Sequence, residues 1–327
     1  MPKLDLATVP VKTGSIYPAP YAAMMAGRSS LRLGEAGGLT QFGVNLITLE
    51  PGAMSSLRHW HLNEDEFVIV TEGLCTMVTD AGAEPMHPGD CAAFPAGRAD
   101  GHHFLNQTDK PARFIVIGTK APREVGTYSD VDLIVTIDGK TANFTRKDGT
   151  PYTPTPSDSL PPPPMGEGRE GGHASRKLAP PAWATDNPTH PILGPGPGAY
   201  RYQLLSDPGG LTQFGAFLEE LPPGSRSGHR HWHENEDEMV ILLQGTLTLV
   251  EDSETPLISG DVAAWPAGHP VGHRLDNRSD QPARYLVIGT RSHRDRVHYT
   301  DHDLITEKDG PARRYLHRDG TPYGDAK

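Results

Sequence analysis

The sequence predicts an all-β protein made of two tandem copies of one antiparallel barrel or sandwich, and three observations carry that prediction. Glycine and proline occupy 36 and 32 of 327 positions, a level that breaks helices and punctuates many short strands. Apolar residues alternate with period two instead of following the 3.6-residue period of a helix. The chain also repeats itself, with Gly-Leu-Thr-Gln-Phe-Gly at 38–43 and again at 210–215, an offset of 172.

Further pairs extend the repeat. His-Trp-His stands at 59–61 and 231–233, Pro-Ala-Gly at 95–97 and 266–268, and Asp-Gly-Thr-Pro-Tyr at 148–152 and 319–323. The offset falls from 172 to 171 between Gly73 and Gly89, so one residue has been lost there. Two domains follow, residues 1–152 and 182–327. Residues 153–181 hold eight Pro and four Gly in 29 positions, including the run Pro161 to Pro164, and read as a semi-extended linker that cannot build a core.

Taken in order along a copy, Phe42, Val44 and Leu46 form a first strand, Phe67 to Val70 a second, Leu74 to Val78 a third and Phe114 to Ile117 a later one. Thr71-Glu-Gly73 and Leu243-Gln-Gly245 read as hairpin turns, with further punctuation at Pro51-Gly52, Pro88-Gly89, Pro223-Gly224 and Ser259-Gly260. Tyr21 to Gly34 is the one stretch read as a short helix. The Asp-Gly-Thr-Pro-Tyr tails supply turn chemistry that closes a terminal hairpin in each copy.

Composition narrows the function. A net charge of −11 argues against nucleic acid or an anionic membrane as the main partner, because both select a basic face. No apolar run approaches the ~20 residues of a spanning helix or resembles a signal peptide, so a cytoplasmic location is expected. Cys75 and Cys91 are too few for a disulfide framework or a thiolate metal site and read as buried hydrophobes.

The chemistry lies in the repeated histidines. His59 and His61 sit two apart on a strand and therefore point to one face, leaving Trp60 on the other. A turn over Leu62 to Asp65 brings Glu66 back beside them. The second copy has His231, His233 and Glu238 at the same spacing, with Trp232 facing away. His102 and His273 follow the Pro-Ala-Gly turns and add one imidazole to each set. Three imidazoles and a carboxylate suit a divalent first-row transition metal, Fe, Mn, Ni, Cu, Co or Zn, one per domain. The residual positive charge of such a site attracts anionic oxygen donors. Among neighbours, Glu64, Asp65, Glu236 and Asp237 read as solvated turn residues, and Arg58 and Arg230 as surface salt-bridge partners.

These residues resemble the motifs of the cupin superfamily. Gly52, His59, His61, Glu66 and Gly73 look like its first motif, and Gly89, Pro95, Gly97, His102 and Asn106 like its second. Gly224, His231, His233, Glu238 and Gly245, then Gly260, Pro266, Gly268, His273 and Asn277, repeat both. The resemblance implies two jelly-roll β-barrels with a metal inside each, fused as a bicupin. Two spacings depart from the family: six residues separate Gly52 from His59, and four separate Gly97 from His102. The latter leaves His103 as a rival ligand, but Arg274 takes its place in the second copy, which favours His102.

Among bicupins the ligand pattern resembles flavonol (quercetin-type) dioxygenases and oxalate decarboxylases, and the gap before each glutamate looks more like the former. The first expectation is therefore an oxidoreductase, a dioxygenase that holds a small anionic oxygenated or aromatic substrate and O2, with Glu66 or Glu238 doubling as general base. The alternative is an oxygen-independent decarboxylase, lyase or isomerase of a small organic or sugar acid. A third reading is a non-catalytic, metal-stabilised binding protein. Trp265 in place of Phe94 and Met239 in place of Phe67 make the two interiors unequal. A homo-oligomer is compatible with each reading.

Overall fold

A computed structural model describes residues 2–155, 176–185, 189–194, 196, 198 and 200–324. Each copy folds as an antiparallel jelly-roll barrel with a large sheet facing two smaller ones. In the first copy the large sheet runs Val11–Thr13, Arg28–Arg32, Phe42–Leu49, Ala112–Thr119, Glu66–Glu72, Cys91–Phe94. Opposite lie a four-stranded sheet containing His59–His61 and a three-stranded sheet containing His103–Leu105. The second copy repeats this plan with a five-stranded large sheet ordered Arg201–Leu204, Phe214–Leu221, Ala283–Thr290, Glu238–Gln244, Val262–Trp265.

Period-two alternation gives each large sheet two apolar faces. Val68, Val70, Ile47, Leu49 and Phe114 point into the first barrel. Phe67, Ile69, Phe42, Val44 and Ile117 point out and meet Phe214, Met239, Ile241, Leu286 and Ile288 of the second copy. The two large sheets thus pack back to back, which is why Glu66–Glu72 reads as an unbroken apolar run: four of its residues are buried on alternate faces. Contact is close. A Cβ on Gly37 would lie 2.5 Å from the Cβ of Ala264, and one on Gly209 would lie 2.2 Å from that of Ala93.

Several expectations change. Tyr21 to Gly34 is no single helix; it comprises a 3-10 turn (Tyr21–Met25), a strand (Arg28–Arg32) and one α-helical turn (Leu33–Ala36). Gly27 at φ +77° breaks the chain there, and Arg28–Arg32 pairs with Phe42–Leu49. Thr71-Glu-Gly73 and Leu243-Gln-Gly245 are not hairpin turns, because the strands they join belong to different sheets. They are corners between layers, and a Cβ on Gly73 would meet the Pro111 carbonyl oxygen at 2.5 Å.

Most of the expected linker 153–181, including Pro161 to Pro164, lies outside the described residues. Its end does not behave as free linker: Lys177 bridges to Ala92, and Leu178 N–H donates to Cys91 O at 2.8 Å, so the segment extends the first copy's large sheet. Residues 2–4 do the same for the second copy, with Leu4 N–H donating to Val262 O at 2.8 Å. Each barrel edge is closed by the segment that precedes the other barrel. The repeated tails close turns as expected, Asp148 and Asp319 each accepting from the backbone N–H and hydroxyl of a threonine two residues on. Cys75 and Cys91 are buried free thiols.

Candidate metal centres

The short strands His59–His61 and His231–His233 are tied to the second-motif histidines by the backbone itself. His59 and His102 exchange N–H to O bonds of 3.2 and 2.9 Å, and His231 and His273 exchange bonds of 3.3 and 3.0 Å. These bridges stitch the two smaller sheets together and deliver three imidazoles to the barrel interior. Glu66 and Glu238 arrive from the facing large sheet.

In the first copy the ligating atoms of His59, His61 and Glu66 lie within 4.8 Å of one another. His102 Nε2 stands 3.0 Å from Glu66 Oε1. In the second copy His231, Glu238 and His273 form the tight triad, and His233 Nε2 lies 3.8 Å from Glu238 Oε2. All eight predicted residues therefore converge, four in each barrel. His103 turns away, its Nδ1 on Ser56 O at 3.0 Å.

The donor set fits a cation. His59 Nδ1 lies on Leu57 O at 2.8 Å, which places its proton there and leaves Nε2 as a lone pair, 3.1 Å from His61 Nε2. His231 Nδ1 is held by His229 O at 2.9 Å and His233 Nδ1 by Asp295 Oδ2 at 2.6 Å, so their Nε2 atoms also face inward. Burial, with the His61 and His102 charges added, pushes His59 down to about 3; burial likewise takes His231 down to about 4. Burial works against ionised Glu66, but His102 and His61 outweigh it and hold the carboxyl well below its ordinary range. Glu238 is held at about 2, chiefly by His273 against burial. Burial also opposes charge on His61, yet the Glu124 and Glu66 carboxylates, each 3.5 Å from its ring nitrogens, raise it to about 10. A divalent ion binds neutral imidazoles beside an ionised carboxylate, so His59 and Glu66 already stand in the ligating form, whereas His61 would release a proton on binding the ion.

Glu124 and Asp295, buried behind His61 and His233, were not legible from the motifs. The signal was present: both are acidic and lie 295 − 124 = 171 residues apart, the repeat offset.

Asp65 and Asp237 do not sit in solvated turns. Each is buried and accepts three backbone N–H groups, two of them from the other barrel. Asp65 takes Ala96, Thr212 and Gln213 at 2.8, 2.6 and 3.0 Å; Asp237 takes Ala267, Thr40 and Gln41 at 2.8, 2.6 and 2.8 Å. The repeated Thr-Gln of Gly-Leu-Thr-Gln-Phe-Gly is thus an interdomain clamp on the residue preceding each site glutamate. Glu64 and Glu236 are also engaged, by Ala121 N–H at 2.8 Å and by Lys308 Nζ at 2.6 Å. Arg58 pairs with Asp80 and Asp130, and Arg230 with Asp252 and Asp301, as salt-bridge partners.

The cavities above the two sites differ. In the first, of about 620 Å³, Arg28, Ser30, Arg32, Asn45 and Phe114 form the wall facing the histidines. In the second, of about 460 Å³, the corresponding wall is Tyr200, Tyr202, Leu204, Phe217 and Tyr285, with Glu219 among them. Phe94 stacks on His102 at 3.5 Å between ring centres and Trp265 on His273 at 3.7 Å. Burial, reinforced by the Glu238 charge, pushes Glu219 up to about 7 although the Tyr285 hydroxyl donates to it.

The family model for the cupin domain matches twice, over residues 45–118 and 217–289, the stretches that contain both motifs. The chain belongs to the cupin superfamily and is a bicupin. A solved structure from Silicibacter pomeroyi, described as a sugar phosphate isomerase from a cupin superfamily, is 60% identical, covering 46% of this chain and 97% of that one at a TM-score of 0.46. An oxalate decarboxylase from Bacillus subtilis is 14% identical over 88% of this chain and 75% of its own, TM-score 0.49. Another oxalate decarboxylase structure is 15% identical over 88% and 76%, TM-score 0.51, and shares the fold. No curated protein matches the chain. No helix among the described residues is long and apolar enough to cross a membrane.

Proposed function

We propose that the chain is a metal-dependent enzyme holding one divalent first-row transition ion per barrel, through His59, His61, Glu66 and His102 and through His231, His233, Glu238 and His273. Its first barrel acts on a small anionic, oxygen-rich substrate by oxygen-independent chemistry, as a decarboxylase, lyase or isomerase. The observation that carries this reading is the polar, cationic wall of Arg28, Ser30, Arg32 and Asn45 across the cavity from the histidines. Such a wall suits an organic or sugar acid better than a flat aromatic.

The bound ion supplies Lewis acidity toward a substrate oxygen. The chain's own groups orient the substrate between that point and the arginine wall, and Glu66 and Glu238 are the carboxylates placed to take or return a proton. The aromatic second wall favours a second reading for that barrel, a dioxygenase for a phenolic substrate, since Tyr200, Tyr202 and Phe217 offer ring faces.

Metal-loaded protein assayed with hydroxy acids, sugar acids, oxalate and flavonols, in air and under strict anaerobiosis, separates these. Turnover of an acid that persists without oxygen is the expected result. Turnover confined to flavonols in air would replace the first reading with the second. Tight binding with no turnover would make the protein a binding cupin.

A further inference from the structure

The face that carries Arg28 points to the anionic group of the substrate. On the strand Arg28–Arg32 the residues that line the first cavity are Arg28, Ser30 and Arg32, every second one, so this is the inward face of the strand. Arg32 lies toward the open end, exposed and paired with Glu35 at 3.2 Å. Arg28 is different. It is half-buried among Tyr17, Met25, Phe104 and Phe114, and its Nε is enclosed with no hydrogen-bond partner. Among the described residues it forms no ion pair; of the carboxylates lining the same cavity, Glu66 is committed to His61 and His102, and Glu124 accepts from the backbone N–H groups of Leu62 and Asn63. An arginine partly withdrawn from water with no counter-charge is destabilising in itself, unless a bound anion completes it.

The second barrel shows what the position requires when no such anion is used. Ser30 pairs opposite Ile47 and Tyr202 opposite Glu219, which fixes the equivalence at an offset of 172. By that register Arg28, Ser30 and Arg32 become Tyr200, Tyr202 and Leu204. The cationic face has been exchanged as a set for an aromatic and aliphatic one, while the histidines and glutamate remain.

We propose that Arg28 binds an oxyanion, a carboxylate or a phosphate, borne by the ligand of the first barrel, and that the second barrel takes a ligand lacking one at that end. This deepens the proposed function by naming the group recognised, but the anion contact is made to Arg28 and does not require the metal. A planar guanidinium engages either oxyanion through paired N–H donors.

The test is calorimetric titration of the full chain with inorganic phosphate and, separately, with acetate, on metal-loaded protein and on protein stripped by chelation. One site per chain is expected in both preparations. Arg28→Gln should weaken it at least tenfold, Arg28→Lys should restore part of the affinity, and Glu66→Ala, which removes the metal site, should leave it in place. The tighter of the two anions identifies the group as phosphate ester or carboxylate. Unaltered affinity in Arg28→Gln, affinity that vanishes with the metal and in Glu66→Ala, or no binding of either anion would each overturn the assignment. Thermal unfolding of Arg28→Gln controls for folding; relief of an uncompensated charge predicts a melting temperature equal to or above that of the parent.

Discussion

Three carboxylates, Asp65 buried and Glu66 and Glu219 half-buried, show how surroundings set a residue's task. Asp65 is filled by backbone donors, Glu66 by imidazoles, and Glu219 has only a tyrosine hydroxyl, so burial drives its pKa up to about 7. A carboxyl raised in the folded state contributes nothing unfavourable below its unfolded value near pH 4.5, costs progressively more as pH rises toward 7, and exacts the full cost above that. Glu219→Gln should therefore stabilise the protein at pH 8 by about 1–3 kcal/mol, with the gain vanishing near pH 4.5. Melting curves at the two pH values check this; an equal shift at both would exclude a titrating Glu219. The convergence of the histidines and glutamates was readable from the chain because His-x-His has a fixed geometric consequence on a strand. Asp65 was misread because local sequence shows a polar turn and cannot show that Thr212 and Gln213 arrive from 147 and 148 residues away.

Among the elements, the strand Glu66–Glu72 links site and scaffold. Its inner residues fill the barrel, its outer ones form the interdomain core, and its first residue is the site carboxylate. The clamp on Asp65 fixes where this strand begins. Asp65→Ala would leave three buried backbone donors unsatisfied and should lower stability by about 2–4 kcal/mol, read as a fall in the urea midpoint. It should also loosen metal at the first site while the second keeps its ion. Gly37→Ala tests the packing beneath, where an added methyl collides with Ala264; a loss of about 1–3 kcal/mol is expected from calorimetric unfolding. Strand placement was legible from alternation and turn residues. The corners at Gly73 and Gly245 were not, because a tight glycine turn between apolar strands looks the same whether the strands pair or cross to another layer.

At the level of the whole molecule, duplication has produced a pseudo-symmetric pair that exchanges its edges. Lys3 and Lys177 sit at equivalent places in the two exchanged segments, each ion-paired at 2.7 Å, with Asp261 and Asp90. The shared core and both aspartate clamps cross between barrels, so neither barrel is complete alone. Separately produced halves, residues 1–155 and 176–327, should co-purify as a 1:1 complex when expressed together and self-associate when expressed apart. Stable monomeric halves, seen by light scattering, would refute the shared-core account. The repeat was plain in the sequence, whereas the exchange of edges was not: one exchanging segment, Lys177 and Leu178, lies inside a stretch whose composition signals only linker, and the other, around Lys3 and Leu4, is too short to read as a strand. The two cavities share the same candidate metal-ligand residue types and differ along one inner wall.

The central claim is that each barrel gathers three imidazoles and one carboxylate around a cation. Elemental analysis of untagged protein, alongside Glu66→Ala and Glu238→Ala, tests it most directly. Two transition-metal ions per chain, with one lost in each variant, is the predicted result; a metal content that neither substitution changes would contradict it.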